Sequence, residues 1–121
     1  MKPHQNLDAW KESFSLVKEL YAVTAKFPPE EKFGIISQIR RAGISVPTNI
    51  AEGAARNTKK EFVNFLHISL GSASELDTLI LLSADLGFIS DAEKINFISK
   101  LDTIARIIKG LINKLRKDLS V

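Results

Sequence analysis

The side chains that could carry chemistry lie in two short runs, V-P-T-N-I-A-E-G at 46–53 and G-S-A-S-E-L at 71–76. A carboxylate such as Glu52 or Glu75 can act as a general acid or base when a nucleophile, a second titratable group or a metal accompanies it. The sequence supplies no such partner for either residue. Glu52 instead precedes Arg56 by four positions, the order that favours an ion pair on one helix face. The pattern therefore predicts no catalytic residue.

Metal and cofactor chemistry is equally restricted, because the chain contains no Cys and only two His, His4 and His67. Thiolate zinc sites, disulfides, cysteine nucleophiles and histidine cages are thereby excluded. A lone His on a helix is usually a surface or hydrogen-bonded residue. The run 52–60 joins small residues to three cations but lacks a phosphate-binding glycine fingerprint. The sequence predicts no metal site and no cofactor.

The two runs are better explained as a structural polar motif between helices. Asn49 lies beside an apolar seam, where an amide without a hydrogen-bond partner costs about 1–3 kcal/mol. Ser72 and Glu75 lie on an apolar stripe of the following helix, where an isolated carboxylate is unfavourable. These three residues predict an interhelical hydrogen-bond network, with Gly71 and Ala73 allowing close approach of the helices.

Basic residues are concentrated near the C-terminal end: residues 1–99 carry a balance of −1 and residues 100–121 a balance of +4. A basic face is an ordinary solvated surface of a bundle helix, or else it contacts a phosphate backbone independently of nucleotide sequence. It has no aromatic residue on which bases could stack. The candidate nucleic-acid-binding residues are Arg106, Lys109, Arg116 and Lys117, flanked by Lys100 and Lys114, with Arg56, Lys59 and Lys60 as a second group.

The elements that must position these residues are four helical segments separated by three short breaks. With 121 residues, 45% of them apolar, the chain predicts one domain spanning 1–121. No strand-like alternation is present, and short connections force sequential helices to pack antiparallel. The sequence predicts an all-α, up-down-up-down four-helix bundle with helices at about 7–26, 30–55, 58–86 and 90–118.

Within the second segment Pro47 would normally break the helix, since its ring meets the carbonyl of the residue four positions earlier. That residue is Gly43, so we expect one bent helix that continues to about Ala55. In the first segment the predicted buried stripe has helical spacing of three and four. It comprises Trp10, Phe14, Val17, Tyr21 and Thr24.

The third and fourth segments carry more apolar surface than a four-helix core requires. The third has two stripes and is expected to be the most buried helix, while the fourth repeats apolar residues in a heptad from Phe97 to Leu115, with Ile107 and Ile112 beside it. This excess predicts a homo-oligomer. The third segment's stripes are Phe62, Leu66, Ser69, Ala73, Leu76 and Ile80 on one side, and Phe65, Ile68, Ser72, Leu79, Leu82 and Leu86 on the other.

The blocks S-V-P-T-N-I-A-E-G (45–53), E-F-V-N-F-L (61–66) and G-S-A-S-E-L (71–76), in this order and spacing, resemble the bacterial proteins named for 23S ribosomal RNA intervening sequences. The resemblance implies a four-helix bundle that forms homopentamers and has no established catalytic activity. A similar branch serves diversity-generating retroelements, which implies a reverse transcriptase as a partner. The positions that match the family's motif are Asn49, Glu52, Gly53, Ser72 and Glu75, with a structural role.

We therefore expect a non-enzymatic oligomeric bundle that contacts RNA or DNA through its basic residues or acts as a scaffold. The alternative is a protein-protein adaptor whose charges serve only solubility. The first ten residues lack a signal peptide pattern, and the apolar run 76–89 is too short and too charged for a membrane span. The sequence predicts a cytoplasmic protein that does not enter the membrane.

Overall fold

The computed structural model describes residues 2–119, which form four long helices joined by short turns. Each helix packs against the next in the chain, and α4 returns to α1. No strand occurs within residues 2–119. The prediction of an all-α, up-down-up-down four-helix bundle is confirmed. The helices are α1 (Asp8–Thr24), α2 (Ile35–Ala54), α3 (Lys59–Asp85) and α4 (Asp91–Leu119), with 3-10 turns at Pro3–Asn6 and Pro29–Glu31.

Local side-chain chemistry explains where α3 and α4 begin. The Thr58 hydroxyl accepts the backbone N–H of Glu61 at 3.1 Å. At the start of α4 the Ser90 hydroxyl accepts the N–H of Glu93 at 3.0 Å, and the Glu93 carboxylate accepts the N–H of Ser90 at 2.8 Å. These are capping interactions that satisfy orphan backbone donors. Gly87 ends α3 in the left-handed region with φ +79°, which glycine adopts without steric cost.

The start of α2 differs from the predicted start at residue 30. Pro29–Glu31 form a separate 3-10 turn, and Gly34, at φ −108° and ψ −117°, leaves helical geometry before α2 begins at Ile35. The helix then continues through Pro47 to Ala54, as expected from the glycine four positions earlier. Gly43 also allows α1 to approach α2, since a Cβ there would lie 2.8 Å from the Leu20 Cδ1 atom.

The predicted buried stripe of α1 is wrong except for Thr24. Phe14 is 47% exposed and Tyr21 40% exposed. Both the aromatic set and the observed set have helical spacing, and Leu20 of the observed set is the side chain that lies nearest to Gly43 of α2. The guanidinium of Arg40 covers the Tyr21 ring at 4.4 Å and keeps it at the surface. The residues of α1 that are buried are Ala9, Ser13, Leu16, Leu20, Val23 and Thr24.

The first predicted stripe of α3 faces the core, with Leu66, Ser69, Ala73, Leu76 and Ile80 buried. The second stripe is mostly outside the core, and Leu79 is its one buried member. Consequently α2, with nine of 20 residues buried, is more buried than α3, with eight of 27, which corrects the expectation for α3.

The heptad of α4 is buried as predicted from Phe97 to Ile108, and Ile112 takes the place of Leu111 in the last turns. By length and composition alone α3 is apolar enough to cross a membrane. The two apolar stripes of α3 account for its apolar composition, and one of these stripes packs into the bundle core.

Candidate nucleic-acid interface

The α2–α3 turn and the end of α4 lie at the same end of the bundle. The ammonium group of Lys59, in the first turn of α3, donates to the Asp118 carboxylate near the end of α4 at 3.0 Å. About two turns further along α3, His67 Nε2 lies 3.0 Å from Arg116 Nη2 of α4. The up-down topology thus brings together two basic groups that are far apart in the sequence.

Six cations lie at this end of the bundle, and we call them the basic end. All six are exposed. The stretches 52–61 and 114–118, which contain them, hold six basic and three acidic residues, a balance of +3. The remaining 11 basic and 11 acidic residues cancel, so the whole net charge of the chain is located here. The basic end consists of Arg56, Lys59, Lys60, Lys114, Arg116 and Lys117.

The ion pairs at the basic end are exposed and therefore weak. Arg56 pairs with Glu52 at 2.7 Å, as the sequence predicts, and its guanidinium lies 4.7 Å from the centre of the Phe65 ring. Exposed pairs of this kind contribute about 0–1 kcal/mol. Lys60 and Lys114 make no ion pair with any residue of the described range 2–119. A phosphate group can therefore replace the existing partners at little cost.

His67, for which the sequence favours a surface position over a metal-ligand role, is exposed beside Arg116. An arginine side chain only donates hydrogen bonds, so in this contact His67 Nε2 is the acceptor. Within residues 2–119 no three His, Asp or Glu side chains are grouped closely enough to hold a metal ion.

Arg106 and Lys109 lie on α4 away from the basic end. Arg106 donates to the Thr103 hydroxyl at 3.3 Å and shares a shallow groove with Asp102. Lys109 lines a second groove, between α3 and α4, together with Asp77 and Asp102. The single basic face predicted for α4 is thus divided, and its middle part has acidic neighbours.

The polar motif forms a chain of hydrogen bonds between α2 and α3. Asn49 Nδ2 donates to the Ser45 carbonyl at 2.8 Å and to the Ser45 hydroxyl at 2.9 Å. The hydroxyls of Ser45 and Ser72 lie 2.7 Å apart. Asn49 and Ser72 are therefore linked as predicted, but through Ser45, which the predicted network does not include. The spacing of four between Ser45 and Asn49 is the sequence signal that points to it.

Glu75 is not part of this network. Its side chain is exposed and makes no hydrogen bond or ion pair within the described residues. Gly71 does not mediate helix contact either, since nothing lies within 4 Å of a Cβ placed there. The close approach is at Gly53, where a Cβ would lie 2.8 Å from both Phe62 Cδ1 and Phe65 Cβ. The motif glycine is thus a contact point between α2 and α3.

A second surface, which the sequence patterns do not predict, is an apolar groove between α1 and α2 with a volume of about 380 Å³. It exists because the aromatic residues of α1 face outward, where Trp10 and Phe14 stack with ring centres 4.8 Å apart. We call it the α1–α2 groove. It is lined by Trp10, Phe14, Val17, Lys18, Ile44, Pro47, Thr48 and Ala51.

A model of the 23S rRNA-intervening sequence protein family matches residues 5–110 of the chain. The fold is also similar to the crystal structure of a protein of unknown function from the S23 ribosomal protein family of Bacteroides thetaiotaomicron. That similarity has a TM-score of 0.79 and covers 87% of this chain and 95% of that chain, at 20% sequence identity. At this identity it concerns the fold alone. No protein of curated function shows significant similarity to the chain.

Proposed function

The chain belongs to the 23S rRNA-intervening sequence protein family, and from that premise we propose that it is a non-enzymatic, oligomeric bundle whose basic end contacts the phosphate backbone of RNA or DNA. The observation that supports this proposal is the location of the entire net charge of +3 at one end of the bundle. Clustered cations bind phosphates through counterion release, which is independent of nucleotide sequence and is weakened by salt.

The side chains at the basic end favour backbone contact over recognition of bases. Two aromatic rings of α3 that lie near it, Phe62 and Phe65, are half-buried, and Arg56 already covers Phe65. Single-stranded bases are usually bound by stacking on exposed aromatic rings. We therefore assign phosphate contacts to Arg56, Lys59, Lys60, Lys114, Arg116 and Lys117, and a weaker supporting role to Arg106 and Lys109.

Assembly would make these weak contacts effective. A homopentamer, the stoichiometry that the family resemblance implies, would repeat the +3 charge five times, and several linked sites bind more tightly than one. We place this assembly in the cytoplasm, where it would act as a scaffold for nucleic acid and for a partner protein such as a reverse transcriptase. The proposal includes no catalytic residue, cofactor or metal.

The test is fluorescence anisotropy with labelled RNA and DNA duplexes across a series of NaCl concentrations. We expect an association constant whose logarithm falls linearly with the logarithm of salt concentration. The triple variant Lys60→Gln, Lys114→Gln, Lys117→Gln should bind at least tenfold more weakly. Its salt slope should be smaller by about 1 for each phosphate that the variant no longer neutralises.

The matched control removes three lysines from the opposite end of the bundle: Lys26→Gln, Lys32→Gln, Lys94→Gln. This variant has the same net charge as the first and should retain most of the affinity. Equal decreases in both variants would show that overall charge, rather than the basic end, drives binding. Wild-type protein that binds neither duplex would contradict the proposal.

The exposed α1–α2 groove favours a second candidate function, a protein-protein adaptor with no nucleic-acid role. Phe14 and Ile44 leave apolar surface uncovered there, which commonly marks an interaction site. Under this alternative, complex formation with a partner would be insensitive to ionic strength, and the Lys→Gln variants would behave like the wild type.

A further inference from the structure

The α1–α2 groove combines an apolar floor with one basic residue, Lys18. Lys18 lies beside the Phe14 ring, with its Nζ 5.4 Å from the ring centre. A second apolar groove continues along the same two helices past Tyr21 and Phe33, and it contains Lys32, Arg40 and Arg41. Among residues 2–119, no carboxylate side chain lines either groove. Arg41 is exposed and makes no ion pair within the described residues.

The outward side of α3 has the opposite character. Ile68, Glu75 and Leu82 follow one another at intervals of seven residues, so they lie along one line of the helix, and Leu86 extends it. Ile68, Leu82 and Leu86 are 51%, 46% and 54% exposed. We call these four residues the α3 outer strip.

The strip carries negative charge as well as apolar surface, through Glu75. From Glu61 to Asp85, α3 contains four carboxylates and no Lys or Arg. Glu75 lies between two exposed apolar residues and makes no ion pair within the described residues. A partner that covers the strip must supply both apolar surface and positive charge, because a carboxylate buried without a partner is unfavourable.

We propose that the α3 outer strip of one molecule docks in the α1–α2 groove of a second copy of the chain. Leu82 and Leu86, one helical turn apart, would pack against Phe14 and Ile44. Glu75, about 10 Å from Leu82 along α3, would pair with Lys18 or Arg41. This pairing rests on the assembly included in the proposed function and specifies the two surfaces that form it.

The two surfaces are different and lie on either side of α2, which has consequences for the assembly. Ser72, beside the strip, bonds to Ser45 on one flank of α2, while Ile44 and Pro47 line the groove on its other flank. Because the two contacting surfaces differ, every complex still has one unoccupied groove and one unoccupied strip, to which further copies can bind.

The experiment uses neutral substitutions at exposed positions, so that the monomer fold is preserved. The groove variant is Phe14→Gln, Ile44→Gln, and the strip variant is Leu82→Gln, Leu86→Gln. The control variant, Leu81→Gln, Ile95→Gln, changes two exposed apolar residues that belong to neither surface. Circular dichroism verifies helical content, and analytical ultracentrifugation gives the molecular mass.

We expect the wild type and the control variant to form the same oligomer, and the groove and strip variants each to be monomeric. An equimolar mixture of the groove and strip variants should form a dimer and nothing larger, since one intact groove and one intact strip remain. Trp10, the single tryptophan, lines the groove, so its emission should shift to shorter wavelength when the dimer forms.

Charge reversal provides an independent measurement. Glu75→Lys should weaken association at least tenfold, and Arg41→Glu or Lys18→Glu on the second molecule should restore part of the affinity.

Oligomers that survive both the groove and strip variants would overturn the pairing and leave the proposed assembly intact. A groove variant that dissociates while the strip variant stays assembled would also overturn it, since the groove would then have another occupant. A wild type that is monomeric at every concentration would refute the assembly itself.

Discussion

Gly53 is the residue at which α2 and α3 come closest, and its substitution tests the packing directly. Gly53→Ala adds a Cβ 2.8 Å from Phe62 Cδ1 and Phe65 Cβ, so the helices must separate. Overpacking of this kind costs about 1–3 kcal/mol. The higher helix propensity of alanine offsets up to about 1 kcal/mol of this cost. We therefore expect the free energy of unfolding, measured by urea titration, to fall by up to about 2 kcal/mol.

Gly71→Ala is the matched control, because it makes the same change in α3 where a Cβ has open space. Alanine is favoured over glycine in a helix by up to about 1 kcal/mol, so this variant should be as stable as the wild type or more stable. If both substitutions had the same effect, helix propensity and not packing would account for the two results.

The residues of the polar motif show how far a sequence can predict such contacts. Asn49 and Ser72 are predictable because amides and hydroxyls beside an apolar seam need partners, and the structure links them through Ser45. The prediction for Glu75 is wrong because it assumes that the same bundle covers its stripe. Residue spacing identifies a stripe but does not reveal whether the bundle core covers it.

At the scale of elements, turn and capping chemistry predicts the helix boundaries better than stripe patterns predict the buried faces. Thr58, Ser90 and Gly87 act locally, so their effect is visible in the sequence. The orientation of α1 depends on which side chains fit against α2 at Gly43, which is a tertiary property. Two neighbouring stripes with the same spacing cannot be distinguished unless the packing of α1 against α2 is known.

This orientation of α1 leads to a prediction for its stability. Leu16→Ala removes a buried side chain and should lower the free energy of unfolding by about 2–5 kcal/mol. Phe14→Ala removes a larger side chain that is 47% exposed, and should cost about 1 kcal/mol or less in the monomer. Chemical unfolding at a protein concentration too low for assembly compares the two. A larger decrease for Phe14→Ala would support the aromatic stripe as the buried face.

At the scale of the whole molecule, topology creates the basic end. The sequence identifies its two cation groups separately, and the up-down order of the helices places both at one end, as the contact between Lys59 and Asp118 shows. Arg106 and Lys109 would belong to the basic end only if all cations on the outward face of α4 had the same surroundings. Their acidic neighbours Asp77 and Asp102 come from α3 and α4, and only the packed structure brings α3 beside them.

The proposed assembly through exposed apolar faces should make the apparent stability depend on protein concentration, because ligands or subunits that bind only the folded state stabilise it by mass action. For each contact formed, a tenfold rise in free subunit concentration adds about 1.4 kcal/mol to the apparent free energy of unfolding. We therefore expect the melting temperature of the wild type, followed by circular dichroism over a hundredfold concentration range, to rise steadily. The variant Phe14→Gln, Ile44→Gln should melt at one temperature throughout, while Leu81→Gln, Ile95→Gln should follow the wild type. A wild-type melting temperature that is independent of concentration would mean that the exposed faces of α1 and α3 do not join copies of this chain.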